Sequence, residues 1–192
     1  IAISSVESYT LAGGSNVFNL ANTGQTVVGK SDVDQITGGS GADIISSAGG
    51  NDILIGGLGG DTITGGTGND TLTGGGGADT FVFASGDTTH NVSDENITDF
   101  TASSDKLDFG EAAADVTIVD GSMMFFSNVL TNASSFFDGN ELDVYIAYNV
   151  SGLNDTVVVV DHNKDGTLNS GDTMLKLVDV SSAPEILSTD IV

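Results

Sequence analysis

Large apolar side chains return every nine residues along the first half of the chain. Ile36, Ile45, Leu54, Ile63, Leu72 and Phe81 mark the interval, and stepping back from Ile36 extends it through Val27 and Phe18 to Tyr9. The short x-U-x stretch around each apolar residue (U) reads as a brief strand whose middle side chain faces a core. It is too short for a useful helical turn. From Gly38 the segments between and including these strands read GGSGADIIS, SAGGNDILI, GGLGGDTIT, GGTGNDTLT and GGGGADTFV. The expectation is an all-β chain. Two nonapeptides form one coil of a right-handed parallel β-roll solenoid, and neighbouring coils lie ~4.8 Å apart.

The polar half of each repeat is as regular as the apolar half. Glycines fill the turn: Gly38, Gly39 and Gly41, then Gly49 and Gly50, Gly56, Gly57 and Gly59, Gly65, Gly66 and Gly68, and Gly74, Gly75 and Gly77. Glycine at repeat positions one, two and four permits a sharp turn with positive φ and points carbonyl oxygens inward. The sixth position carries Asp43, Asp52, Asp61, Asp70 and Asp79, preceded in the same register by Asp34. Carbonyls and carboxylates are the hard oxygen ligands that calcium takes at flexible angles. Stacked coils place Asp34, Asp52 and Asp70 along one edge and Asp43, Asp61 and Asp79 along the other. Carboxylates about 5 Å apart repel by roughly 1 to 3 kcal/mol, depending on the effective dielectric. Such columns require cations, so metal binding is expected to be the folding step. In the earlier turns the aspartate position holds Glu7, Asn16 and Gln25 without the glycine framework. These are read as metal-poor coils.

Charge reinforces this picture and excludes others. The 192 residues hold 27 Asp plus Glu against 4 lysines and no arginine, a formal net charge of −23. That balance excludes a phosphate-binding footprint, hence nucleic acid, and disfavours anionic membrane surfaces. There are no cysteines, so disulfides, thiolate zinc sites and cysteine nucleophiles are absent. No apolar run reaches the length of a transmembrane helix. The chain opens at Ile1 without a signal peptide and reads as the C-terminal part of something longer.

After Phe81 the period ends while strand-like runs continue at Thr80 to Ala84, Glu95 to Phe100 and Lys106 to Phe109. Phe81 and Phe83 suit a cap over the open end of the roll. Here GGGGADTFVF followed by ITDFTASSDKLDF resembles the exit segment of RTX, or hemolysin-type, calcium-binding repeat domains. The resemblance implies that Asp99 and Asp105 complete the last calcium sites. The alternative is that both are solvated turn residues. The domain reading is 1–109 for the roll with its cap and 110–192 for a C-terminal β-rich region.

In that second region Gly110–Val116 and Thr131–Leu142 read as short helical turns. MMFFSNVL, LDVYIAYNV, DTVVVV and MLKLVDV read as strands. Between the last two lies DHNKDGTLNSGD. Asp161, Asn163, Asp165, Gly166, Thr167, Asn169 and Asp172 match an EF-hand-type calcium loop, with aspartate where glutamate usually closes it. Flanking strands replace helices, so the expectation is a calcium loop within a hairpin. The alternative is a polar turn that imitates the motif. The C-terminal Asp190-Ile191-Val192 resembles the uncleaved signals of type I secreted RTX proteins.

Catalytic signals are missing. His90 and His162 have no HExxH-type partner, and there is no G-x-S-x-G elbow. The expected function is a non-catalytic module that binds several calcium ions and folds outside a Gram-negative cell. It would serve type I secretion and S-layer-like assembly at the cell surface, by self-association or through surface polysaccharide. Two alternatives remain open: an appendage of a secreted protease, lipase or polysaccharide-modifying enzyme, and a carbohydrate- or surface-binding adhesin module.

Overall fold

The computed structural model describes residues 8–21, 23–84, 87, 95–102, 104–110, 115–120, 142–148, 155–168, 172–178 and 190–192. Every regular element among them is a strand apart from a 3-10 assignment at Asp190. The first nine are β1 (Ser8–Thr10), β2 (Val17–Asn19), β3 (Thr26–Val28), β4 (Gln35–Thr37), β5 (Ile44–Ser46), β6 (Ile53–Leu58), β7 (Thr62–Thr64), β8 (Asp70–Gly76) and β9 (Thr80–Val82). Odd and even strands separate into two sheets, β1-β3-β5-β7-β9 and β2-β4-β6-β8, each paired in parallel. Ser8 aligns with Thr26 and Gln35 with Ile53, one coil on. The roll therefore starts by β1, well before the glycine-rich repeats.

The nine-residue apolar beat is the core. Val27, Ile36, Ile45, Leu54, Ile63, Leu72 and Phe81 are all fully buried between the sheets. Each such side chain contributes roughly 1.5–3 kcal/mol on burial. Strand residues on either side point outward, so alternation with period two sets which side chain enters the core. Tyr9 and Phe18 are only partly covered and pack on each other, ring centroids 5.0 Å apart.

The solenoid continues beyond Phe81, contrary to the expectation that Phe81 and Phe83 end it. β10 (Glu95–Ile97) pairs with β8 and β11 (Lys106–Asp108) with β9, both in parallel. The step along the chain widens from 18 residues between Asp34 and Asp52 to 25 between Thr73 and Thr98 and 26 between Asp79 and Asp105. Ile97 and Leu107 prolong the buried column. Phe83 stacks on Phe109 at 5.8 Å, so later residues close the end.

The remaining strands are β12 (Asp115–Asp120), β13 (Asp143–Tyr148), β14 (Thr156–Asp161) and β15 (Thr173–Leu177). They extend the even sheet as β12-β13-β14-β15-β10. β14 and β15 form the expected antiparallel hairpin, and β15 lies parallel to β10. Val157 to Val160 are fully buried, as a continuous β-branched run requires. Asp115 and Val116 belong to a strand, not to the expected helical turn. The run from Val116 to Val119 is β-branched and suits the pleat. Residues 111–114, 121–141 and 149–154 lie outside the described residues, with the second expected helical turn and the MMFFSNVL strand among them, as does the segment around Pro184. At the chain's end Ile191 bridges to Leu107, and the Val192 N–H donates to Leu107 O at 3.0 Å. Asp190, fully buried, pairs with Lys106 at 3.1 Å.

Candidate metal centre

The sixth-position aspartates form two ladders. The Asp34 N–H donates to Asp52 Oδ1 at 2.7 Å and the Asp52 N–H to Asp70 Oδ1 at 2.7 Å. On the other edge the Asp43 N–H donates to Asp61 Oδ1 and the Asp61 N–H to Asp79 Oδ1, both at 2.8 Å. The Asp79 N–H continues to Asp105 Oδ1 at 3.0 Å. In the metal-poor coils the same bonds run from the Asn16 N–H to Asp34 and from the Gln25 N–H to Asp43. Each carboxylate is thus held at one oxygen by the preceding coil.

The second oxygen is different. Oδ2 of Asp34, Asp52, Asp61 and Asp70 is buried and receives no hydrogen bond, an arrangement costly for an ionised acid. Asp43 Oδ2 accepts the Gly39 N–H at 2.9 Å. Burial pushes Asp52, Asp61, Asp79 and Asp105 above the usual carboxylate range, with neighbouring carboxylates adding to the effect. Burial and the Asp52 charge take Asp70 to about 6. Anionic oxygens that lack donors and repel one another are what a bound cation would compensate.

Glycine at repeat position one makes room for this oxygen. A Cβ on Gly38 would lie 2.7 Å from Asp43 Oδ2, and Gly56, Gly65 and Gly74 stand in the same relation to Asp61, Asp70 and Asp79. These glycines have no positive φ; that conformation falls at positions two and four of the later repeats, such as Gly57 at 114° and Gly59 at 133°, and not at Gly39 or Gly41. The expectation of positive φ at position one is corrected: the need there is clearance, for the carboxylate and, at Gly29, Gly38 and Gly56, for a main-chain carbonyl of the next coil as well. Gly29 holds this place before Asp34, where an added Cβ would lie 2.7 Å from Asp34 Oδ2. It was missed, although it lies one repeat before Gly38. In the SAGGND repeat the positions fall differently from the others: Ser47 and Ala48 occupy one and two, and Ala48 adopts φ 76°. Gly50 takes the position-four turn at φ 120°, whereas Gly49 sits at position three, bridged to Thr67. At positions two and four the turns pack so tightly that Cβ atoms on Gly57, Gly59, Gly66, Gly68, Gly75 and Gly77 would collide with main-chain carbonyls of the coil before. The remaining framework glycines, Gly39 and Gly41, supply carbonyls to that stack.

Among the described residues no three His, Cys, Asp or Glu side chains converge to hold a metal by themselves. A cation here needs the turn carbonyls as well, consistent with a mixed oxygen set.

Asp99 accepts the Gly74 and Gly75 N–H groups at 2.8 and 2.7 Å. Asp105 is buried in the ladder and its Oδ2 also accepts the Thr101 N–H at 2.7 Å. Both carboxylates therefore sit on the roll's last turns. Glu95 was not anticipated. It aligns with Asp70 across β8 and β10 and extends the Asp34-Asp52-Asp70 ladder. It is 1% exposed, neither oxygen has a hydrogen-bond partner, and burial with the nearby Asp70 and Asp87 charges pushes it up to about 10. The acid-x-apolar triplet Glu95-Asn96-Ile97 was the available signal.

The hairpin loop is organised around Asp161, which is fully buried. Its Oδ2 accepts the Gly166 N–H at 2.9 Å and its Oδ1 the Asp165 N–H at 3.2 Å. Asn163 Oδ1 accepts the Asp165 N–H at 3.1 Å, and Asp165 Oδ1 accepts both the Thr167 N–H and Oγ1. Lys164 and Gly166 take positive φ, 59° and 71°, so the loop curls its oxygens toward one side. Asp172, buried at 1%, immediately precedes the return strand β15. Asn169 lies outside the described residues, as does His90. His162 packs edge-on to Phe109 at 6.4 Å.

Residues 22–54 and 55–89 match the family described as RTX calcium-binding nonapeptide repeat (4 copies). This stretch is an RTX repeat array folded as a parallel β-roll. Among solved structures, the AlgE6R2 subunit of the Azotobacter vinelandii mannuronan C5-epimerase is similar at a TM-score of 0.58 and 27% identity, over 88% of this chain and 92% of that one. The AlgE6R3 subunit of the same epimerase aligns at a TM-score of 0.38 and 23% identity, over 95% and 82%. No curated protein matches the chain.

Proposed function

We propose that this chain is a non-catalytic module that folds when calcium fills its aspartate ladders. The observation that carries it is the set of buried, donorless Oδ2 atoms on Asp34, Asp52, Asp61 and Asp70. Bound calcium would be held by these carboxylates with Asp43, Asp79, Asp99 and Asp105, aided by carbonyls of the glycine turns. Asp161, Asn163, Asp165, Thr167, Asn169 and Asp172 would form a separate site in the hairpin. The ion neutralises charge and ties adjacent coils, which is folding energy for a chain of this acidity. The roll to residue 109 and the region after it are proposed as two functional units.

RTX repeat proteins are typically secreted, and the setting we infer is the outside of a Gram-negative cell. Low cytoplasmic calcium would leave the chain unfolded and exportable; higher external calcium would fold it by mass action. Type I export would carry the unfolded chain, and assembly at a surface layer would be the role of the folded product. A second reading has its own support: likeness to a subunit of a mannuronan C5-epimerase favours an appendage of a polysaccharide-modifying enzyme.

Circular dichroism of the chain in chelator and in millimolar-range calcium tests the central claim. Strand content should appear cooperatively with calcium and poorly with magnesium, which keeps its water and prefers strict octahedra. Equal strand content in chelator and calcium would refute it.

A further inference from the structure

We propose that Glu95 and Asp70 form a cation site at the junction of the roll and the C-terminal strands, taking a hard divalent cation of the calcium type. It rests on the calcium reading above but draws one of its two carboxylates, Glu95, from outside the nonapeptide array. Glu95 stands one strand past the last aspartate of its ladder, after the period has broken. Its side chain is 1% exposed, and neither oxygen makes a hydrogen bond of good geometry, the Asp70 main chain and carboxyl being the polar groups that act on it; Asp70 Oδ2 opposite is likewise buried without a well-formed bond. Asp87 is held beside this pair. Its carbonyl accepts the Gly68 N–H at 3.4 Å, and its carboxylate accepts the Ala84 N–H at 2.6 Å. Its charge acts on both Asp70 and Glu95. The turn at Gly65 lies against the Asp70 carboxylate, whose Oδ2 a Cβ there would meet.

The position of Glu95 gives the site a consequence. The same residue aligns on its other side with Leu175 of β15. β10 is therefore the strand through which the calcium-loop hairpin joins the roll, and the Val178 N–H donates to Ile97 O at 2.8 Å across that seam. A cation at Glu95 removes charge repulsion at the seam and couples docking of the hairpin to loading of the roll.

Calcium bound per chain at saturation, measured by equilibrium dialysis, tests this with Glu95→Gln, which keeps shape and removes charge. The variant should bind one ion fewer than the wild type, and amide exchange at Val178 should speed up while exchange at Ile63 holds. An unchanged ion count overturns the site and leaves the ladder reading standing; Glu95 is then a neutral acid sharing its proton with Asp70. A wild-type chain that holds no calcium overturns both. If Glu95→Gln does not fold at any calcium concentration, anomalous scattering from calcium-grown wild-type crystals decides: a peak between Glu95 and Asp70 supports the site, and its absence overturns it.

Discussion

Asp61 Oδ1 accepts the main-chain N–H of Asp43, one coil away, at 2.8 Å, while Asp61 Oδ2 is buried with no donor. One oxygen holds the protein to itself and the other is left for something the chain does not supply. Asp61→Asn should therefore fold only at higher calcium. Loss of one charge-assisted contact, about 1.5 kcal/mol or more, weakens the folded, loaded state roughly tenfold or more, which a cooperative multi-ion transition registers as a smaller but measurable rise in the calcium midpoint. Asn16→Ala, in a metal-poor coil, should shift it far less. Calcium titrations followed by circular dichroism give both midpoints, and equal shifts would refute the assignment.

Gly56→Ala should resemble Asp61→Asn. The new Cβ would meet Asp61 Oδ2 and the Gly74 carbonyl, so the carboxylate and the next turn must shift and the calcium midpoint should rise. Gly60→Ala is the control, because Ala42 and Ala78 fill the same repeat position without harm. The pair separates the clearance needed at position one from a general cost of replacing glycine.

Acid should partly substitute for calcium. Folded-state pKa values are raised to about 6 at Asp70 and about 10 at Glu95, from ordinary values of 3.8 and 4.5. The metal-free folded state thus binds more protons than the unfolded chain at intermediate pH, and its stability falls as pH rises. Both contributions are complete below the ordinary values. Asp70's is lost as pH rises towards about 6, and Glu95's continues to decline towards about 10. In calcium-free buffer strand content should be greater near pH 5 than at pH 8. Saturating calcium should reverse the order, because it requires the ionised acids.

The hairpin site should be separable in composition. Asp165→Ala removes the acceptor of Thr167 and a proposed ligand. Calorimetry should count one calcium fewer, while exchange protection in β4 to β7 is retained. An unchanged count refutes the loop as a site.

Ile63→Ala should cost about 2–5 kcal/mol, the range for deleting a fully buried aliphatic side chain. In calcium it should lower the thermal midpoint, with the ion count intact. The opposite pattern, a lost ion without a thermal shift, would mean that the side chain shapes the turns instead of the core.

The roll was legible because a solenoid repeats its contacts at a fixed offset. Residue i meets its counterpart on the next coil, so each local nonapeptide already encodes core position, turn and ladder carboxylate. Ile36, Ile63 and Asp61 could be placed from the beat alone, and the hairpin loop from its own spacing. What followed the repeats had no such offset. The 25- and 26-residue steps that put Glu95 over Asp70 and Asp105 over Asp79, the parallel docking of β15 on β10, and the seating of Ile191 against Leu107 are pairings between distant, non-periodic segments. Short strands of this kind carry little intrinsic preference for a partner. The position-one glycines show the same divide. Glycine recurs at position one in the sequence, Ser47 excepted, but only the packed coil revealed that a Cβ there would meet a carboxylate oxygen and, at Gly38 and Gly56, a carbonyl of the next coil, because those oxygens arrive through the closed turn and leave no mark on the local backbone.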